Sequence, residues 1–185
     1  MSAPSRWNIQ HEALFADCKV FRVFKEHCQH PLDRREGVFF VIKSNDWVLA
    51  LPVTTDGQLV MVKQYRFGRR TLSVEPPGGV IDANEDPTVA AARETAEETG
   101  FTGGKATLLG TCSSNPAIQS NRCHFVLLDG VKPTGETSPD AHEELEVLLV
   151  SPREALARAE AETETHALAL LALHRLRHAR PELFS

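Results

Sequence analysis

The stretch 79–101, GVIDANEDPTVAAARETAEETGF, places acidic residues where they could act together. Asp86 followed by Pro87 reads as an N-cap and a first helical residue, and Gly100 as a C-terminal stop. The spacing therefore predicts a helix over Pro87–Thr99. On it Glu94, Glu97 and Glu98 stand at i, i+3 and i+4 and share one face. Like charges at that spacing repel and cost helix stability. A solvated acidic face would account for the cluster without any function. So would a site for a hard divalent cation such as Mg²⁺, which takes carboxylate oxygens and retained waters. Spacing alone leaves both open, and it does not account for Arg93 and Glu85. Val89, Ala92 and Ala96 are expected to form the face that packs on a sheet.

The order of these residues goes further. Gly79, five residues, Glu85, seven residues, Arg93-Glu94, two residues, Glu97-Glu98, one residue, Gly100 and the apolar Phe101 together resemble the Nudix box. One position departs: Thr95 stands where an aliphatic residue usually follows Arg-Glu, and its methyl can still face the core. The resemblance implies an α/β fold, the Nudix α/β/α sandwich around a mixed sheet. It also implies metal-dependent hydrolysis of nucleoside diphosphates linked to another group. On that basis Glu94, Glu97 and Glu98 are expected as ligands of Mg²⁺, with Mn²⁺ able to substitute. Glu98 would bind directly, and the carbonyl of Gly78 would add a ligand. Arg93 would orient a box glutamate, and Glu85 would fix the loop or the waters of the metal.

Elements around the box must position it. Strands are expected over 18–24, 38–43, 47–53, 58–65, 72–75, 107–112, 123–128 and 145–150, from their Val, Ile, Leu and Phe content. Asp56-Gly57 between two apolar runs predicts a hairpin. Residues 1–16 are weakly patterned, and 27–37, 113–122 and 131–142 read as loops. Ser151-Pro152 starts a short helix, and 163–178 is a longer amphipathic one. An N-terminal β subdomain over 1–48 and a Nudix domain over 49–185 are the expected division.

Three flanking features resemble the ADP-ribose and nucleoside-diphosphate-sugar pyrophosphatase branch of the family. Several strands precede the box, as in the exchanged subdomain through which that branch forms homodimers. Gln64-Tyr65-Arg66, followed by Glu75 and the glycine turn, matches its Gln-Tyr-Arg and Glu-x-Pro-x-Gly run, and Pro116 stands sixteen residues after Gly100. The context Asn115-Pro116-Ala117 departs from the common Pro-Gly, which leaves the sugar open. The resemblance implies a nucleotide-sugar substrate held by Gln64, Arg66, Glu75, Pro116 and Arg122. The general base would come from a loop before residue 145, with Glu143 as first choice and Glu144, Glu136 and Asp140 beside it. Two positions before Glu143 the branch can carry another glutamate, and this chain has Ala141. A hydrolase of nucleoside triphosphates or dinucleoside polyphosphates is the alternative, and a non-catalytic nucleotide-binding regulator a further one.

Composition limits the partners. The 185 residues are 42% hydrophobic and 24% charged, ordinary for a globular chain with one full core. A net charge of −5 argues against broad binding to nucleic acid or anionic membranes. Four cysteines without a C-x-x-C pair, and no expected signal peptide, suit a cytoplasmic protein with reduced thiols. The longest apolar run, 167–173, is too short to span a bilayer. His174, Arg175, Arg177, His178 and Arg180 read as a solvated helix end. The eight histidines form no ligand-spaced cluster, and none is read as a metal ligand.

Overall fold

The structure, a computed structural model, describes residues 3–135, 137–138, 144–163 and 165–185. Its first three strands are β1 (Asn8–Asp17), β2 (Arg22–Gln29) and β3 (Glu36–Lys43), antiparallel and in that order. With the segment 113–122 they form one compact unit, which ends at Asn45; Asp46–Cys112 and Cys123–Ser185 form the other. The expected boundary at 48 falls inside a strand of the second unit, where the chain is already paired. Ile42 donates its N–H to the Ile118 carbonyl and accepts from Ser120, which ties 113–122 to β3. β1 lies in the stretch that read as weakly patterned. Almost every residue of it is exposed, so burial leaves no period of two in its sequence. β2 runs on to Gln29, into the expected loop, because Glu26 and Cys28 alternate inward there.

The larger unit continues with β4 (Trp47–Thr54), β5 (Leu59–Arg66), β6 (Thr71–Glu75), α1 (Pro87–Thr99), β7 (Phe101–Ser113), β8 (Arg122–Pro133), β9 (Glu146–Val150), α2 (Pro152–Ala161) and α3 (Ala167–Ala179). β4 runs parallel to β8, with β7 beyond it, and β5 runs antiparallel to β4, β6 and β9, so the sheet is mixed. The strand period of two supplies two cores. Leu49, Leu51, Phe125 and Leu127 meet Leu156 of α2 and Leu173 and Leu176 of α3. Val48, Ala50, Val126 and Leu128 meet Ala90 and Ala91 of α1. Helices on both faces complete the expected α/β/α sandwich. Burying these strands on both faces is why they read as near-continuous apolar runs.

Two expectations change here. The packing face of α1 is Ala90, Ala91, Thr95 and Glu98, while Ala92 is exposed and Val89 is 57% exposed. The basic end of α3 is also not wholly solvated. Arg175 donates to the Leu109 carbonyl and stacks over Phe125, and Arg180 pairs with Asp129 and Glu182. Among the described residues, no helix is long and apolar enough to cross a membrane.

The feature that makes room for a site is the parting of β4 from β5. The Asp56-Gly57 turn closes as predicted, with Thr54 N–H on the Gln58 carbonyl and Gly57 N–H on that of Thr54. Beyond Val53 and Leu59 the two strands no longer pair. Val62 and Lys63 pair with both β6 and β9, so β6 takes the edge that β4 has left. The donors of β4 turn instead to the glycine turn: Val48 N–H to the Gly79 carbonyl at 2.9 Å, and Ala50 N–H to Pro77 at 2.8 Å. Pro52 falls on that same side, where its missing donor costs no ladder bond.

Candidate active site

Asp86 caps α1 through its carboxylate on Thr88 N–H, and Gly100 ends it in the left-handed conformation at φ 68°. The helix limits are those that the sequence predicts. Pressed onto β4, the helix turns Glu98 inward until it is only 4% exposed. Its Oε2 accepts the N–H of Gly78 at 3.0 Å. That bond needs the turn to lie against β4 more closely than a side chain permits. A Cβ on Gly78 would stand 2.1 Å from the Val48 carbonyl oxygen. One on Gly79 would stand 2.5 to 2.7 Å from the carboxylate atoms of Glu94.

Arg93 gathers the remaining carboxylates. Its Nε and Nη2 fork onto Glu85 at 3.0 Å each, and Nη2 also donates to the Val80 carbonyl. Nη1 reaches Glu94 at 2.8 Å and Glu97 at 3.1 Å. Glu85 in turn accepts Asp82 N–H, so the loop before the helix is fixed at both ends. The hydrogen bond from Arg93 holds the Glu85 carboxyl below its ordinary value, and the Arg93 guanidinium is correspondingly raised. Thr95 faces the core as expected, with its hydroxyl on the Ala91 carbonyl.

Three carboxylates thus share one guanidinium, with Glu98 next along the helix, in a partly buried setting. Among the described residues, no three His, Cys, Asp or Glu side chains converge at metal-ligand spacing, because these are turned to Arg93 and Gly78. The donor set nevertheless fits a hard cation. It is all oxygen, it carries excess negative charge, and it lies against Gly79, where a Cβ would fall among the carboxylate atoms of Glu94.

A second cluster begins three residues before Gly78, within about 10 Å along the chain. Arg66 forks onto Glu75, Nε to Oε1 at 2.8 Å and Nη2 to Oε2 at 3.0 Å. His166, the residue before α3, brings Nδ1 to 2.8 Å from the same Oε2. Glu75 has no exposed surface, so its carboxylate faces these two residues and not an incoming molecule. Burial alone would raise its pKa; His166 and Arg66 together outweigh it and lower it to about 2. Gln64 is buried in β5 opposite Ser73.

Two further residues singled out in the sequence belong to the smaller unit. Pro116 and Arg122 are exposed in the segment that clusters with the N-terminal strands. Glu143, Glu136, Asp140 and Ala141 lie outside the described residues, and Glu144 is exposed. Sequence reasoning missed the contacts at the C-terminal end of α1. Thr134 gives its N–H and hydroxyl to the Gly100 carbonyl, and Ser138 N–H goes to that of Glu97. It also missed His166, which the expected helix 163–178 took in as a helical residue, whereas α3 starts at Ala167 with His166 as its N-cap. Thr134 and Ser138 tie the chain after β8 to the helix that bears the box glutamates.

Comparison with known proteins places this geometry in a family. Residues 44–171 match the NUDIX domain. The chain is similar to "ADP-ribose pyrophosphatase" of Bacillus subtilis, 31% identical over 152 residues that make up 80% of each chain. It is similar to "ADP-sugar pyrophosphatase" of Mus musculus, 30% identical over 180 residues, 86% of this chain and 80% of that one. A solved structure described as an ADP compounds hydrolase has the same fold, with a TM-score of 0.86 over 98% of each chain at 21% identity.

Proposed function

The chain belongs to the NUDIX family and is a Nudix hydrolase, and from that premise we propose that it cleaves the diphosphate of ADP-ribose or a nucleoside diphosphate sugar. One bridging P–O bond breaks and the oxygen of water joins one phosphorus, giving a nucleoside monophosphate and a sugar phosphate. The observation that carries this reading is the anchoring of Glu98 by Gly78 beside the Arg93 network. It holds an excess of carboxylate next to a glycine turn that no side chain obstructs. The activities for which its relatives are named supply the substrate class.

The family depends on a divalent cation; here Mg²⁺ is proposed, with Mn²⁺ able to substitute, held by Glu94, Glu97, Glu98 and the carbonyl of Gly78. When bound there it would neutralise charge on the diphosphate and acidify water. The chain's own residues do the rest. Arg93 fixes the loop through Glu85 and holds Glu94 and Glu97 in place. Arg66, its plane set by Glu75, is proposed to meet a phosphate oxygen, for which a guanidinium fork is suited. Pro116, Arg122 and Gln64 are proposed on the substrate side, and Glu143 as the base that takes the proton of water. Glu75 is better read as the support of Arg66 than as a substrate contact, because it is wholly buried. A homodimer in the cytoplasm completes the proposal. Its support is the three-stranded unit, where Val38, Phe39 and Phe40 are nearly half exposed.

The test is a substrate screen with Mg²⁺, with products resolved by anion exchange. ADP-ribose or a nucleoside diphosphate sugar should be turned over with the highest kcat/KM, yielding the monophosphate. Faster turnover of nucleoside triphosphates or dinucleoside polyphosphates would overturn the substrate assignment.

A further inference from the structure

We propose that His166 is a positioning residue for substrate binding, acting through Glu75 to hold the guanidinium of Arg66 in the plane that meets the diphosphate. The inference rests on the reading of Arg66 given above and extends it to a residue outside the box and its flanking strands.

Three observations carry it. Glu75 has no solvent contact, so each of its oxygens must be matched by protein donors or the buried charge goes uncompensated. Arg66 engages both oxygens, and the His166 imidazole stands 2.8 Å from Oε2. His166 Nδ1 is buried and makes no hydrogen bond of standard geometry, so the 2.8 Å approach to Oε2 is what answers its polarity. Beside an ionised carboxylate, Nδ1 must carry its hydrogen. The third observation is where the histidine stands. It occupies the N-cap of α3, where Ser, Thr, Asp or Asn would satisfy a helix donor, and its side chain makes no capping bond. A residue type poor at capping, with its ring directed away from the helix and onto β6, fits a position that serves Glu75.

The support is rigid on both sides. α3 is fixed by Ala169, Ala172, Leu173 and Leu176 in the core. Glu75 and Arg66 belong to paired strands, with Glu75 opposite Val62 and Arg66 opposite Thr71. Removing the imidazole leaves Oε2 with the Arg66 donor alone among these partners, and the carboxylate can then turn about its last bond. Arg66 follows, because two of its nitrogens are committed to that carboxylate. The consequence is loss of orientation in both the bound substrate and the transition state, which raises KM and spares kcat.

The experiment compares His166→Ala, His166→Asn, Arg66→Ala and the double variant His166→Ala/Arg66→Ala. It measures KM and kcat for ADP-ribose with Mg²⁺, calorimetric Kd for ADP-ribose in EDTA, and the thermal midpoint. Arg66→Ala should raise KM and Kd at least about tenfold, and His166→Ala roughly fivefold or more, with kcat within about twofold. His166→Asn, which can place an amide N–H near the position of Nδ1, should recover most of the loss. In the Arg66→Ala background, His166→Ala should add nothing to KM, since its route is gone. If His166→Ala fails to fold, His166→Leu keeps the volume without the donor and is compared with His166→Asn in the same way. KM unchanged in His166→Ala while Arg66→Ala raises it would overturn the inference and leave the reading of Arg66 standing. So would a full, additive loss in the double variant. KM unchanged in Arg66→Ala would overturn both.

Discussion

Replacing Gly78 with alanine puts a methyl carbon where the backbone of β4 already lies. Its Cβ would stand 2.1 Å from the Val48 carbonyl oxygen and 3.0 Å from Leu49 Cα, whereas ordinary contact begins at 3.4 Å. Neither neighbour is a side-chain tip that can swing away, so the turn itself must move by more than an ångström. Moving it strains the bonds from Val48 to Gly79 and from Ala50 to Pro77, and pulls Gly78 N–H from Glu98. Forced overpacking costs about 1–3 kcal/mol. Losing a hydrogen bond to a buried charged group costs about 1.5–3 kcal/mol more. A destabilisation of about 2.5–6 kcal/mol follows, with kcat lowered at least about a hundredfold because Glu98 loses its anchor. Urea unfolding followed by tryptophan fluorescence, with Trp47 on β4 as a reporter, measures the first; steady-state turnover at saturating Mg²⁺ measures the second. Gly79→Ala is the control, since its Cβ meets only the flexible end of Glu94. It should lose activity at a stability cost of about 1 kcal/mol. If Gly78→Ala unfolds within about 1 kcal/mol of the parent and keeps more than about a tenth of its kcat, a loss under ~1.4 kcal/mol, the close approach is not what holds the site.

Four further outcomes are expected. Glu98→Gln keeps an oxygen for Gly78 N–H, so it should stay folded within about 1 kcal/mol while kcat falls at least about a hundredfold; retention of a tenth of kcat would point to a binding module. Chelation with EDTA should abolish turnover, and Mg²⁺ should restore it and raise the thermal midpoint; turnover that survives chelation would refute the metal assignment. Glu75 has a folded pKa of about 2 against an ordinary 4.5, so the unfolded chain binds more protons across that interval. Its contribution to stability should be complete above about 4.5 and lost as pH falls toward 2, and Glu75→Gln should flatten that part of the stability–pH curve; equal slopes in parent and variant would refute it. Light scattering at micromolar concentration should give a homodimer, and a clean monomer would reject the role given to the exposed Val38, Phe39 and Phe40.

What the sequence determined by itself is local. Asp86, Pro87 and Gly100 delimit α1 because caps act within a residue or two of the helix end. Asp56-Gly57 makes the hairpin for the same reason. The apolar runs of β4, β5 and β8 announced strands buried on both faces, and the spacing of Glu85, Arg93, Glu94, Glu97 and Glu98 announced the box. Only the tertiary structure decided which way α1 turns. The periodicity assigned packing to Val89, Ala92 and Ala96, on a face other than that of the three glutamates. Gly78 N–H, twenty residues away, donates to Glu98 and holds it in the interior, and Ala90, Ala91 and Thr95 pack with it. β1 went unread because an exposed strand has no burial pattern to imprint. Glu75 could be read as a substrate contact until Arg66 and His166 were seen to enclose it. His166 meets Glu75 only because α3 docks on the sheet through contacts that no periodicity records. Side chains far apart in the chain share a site when the packing of whole elements brings them there, and that packing is decided by the core.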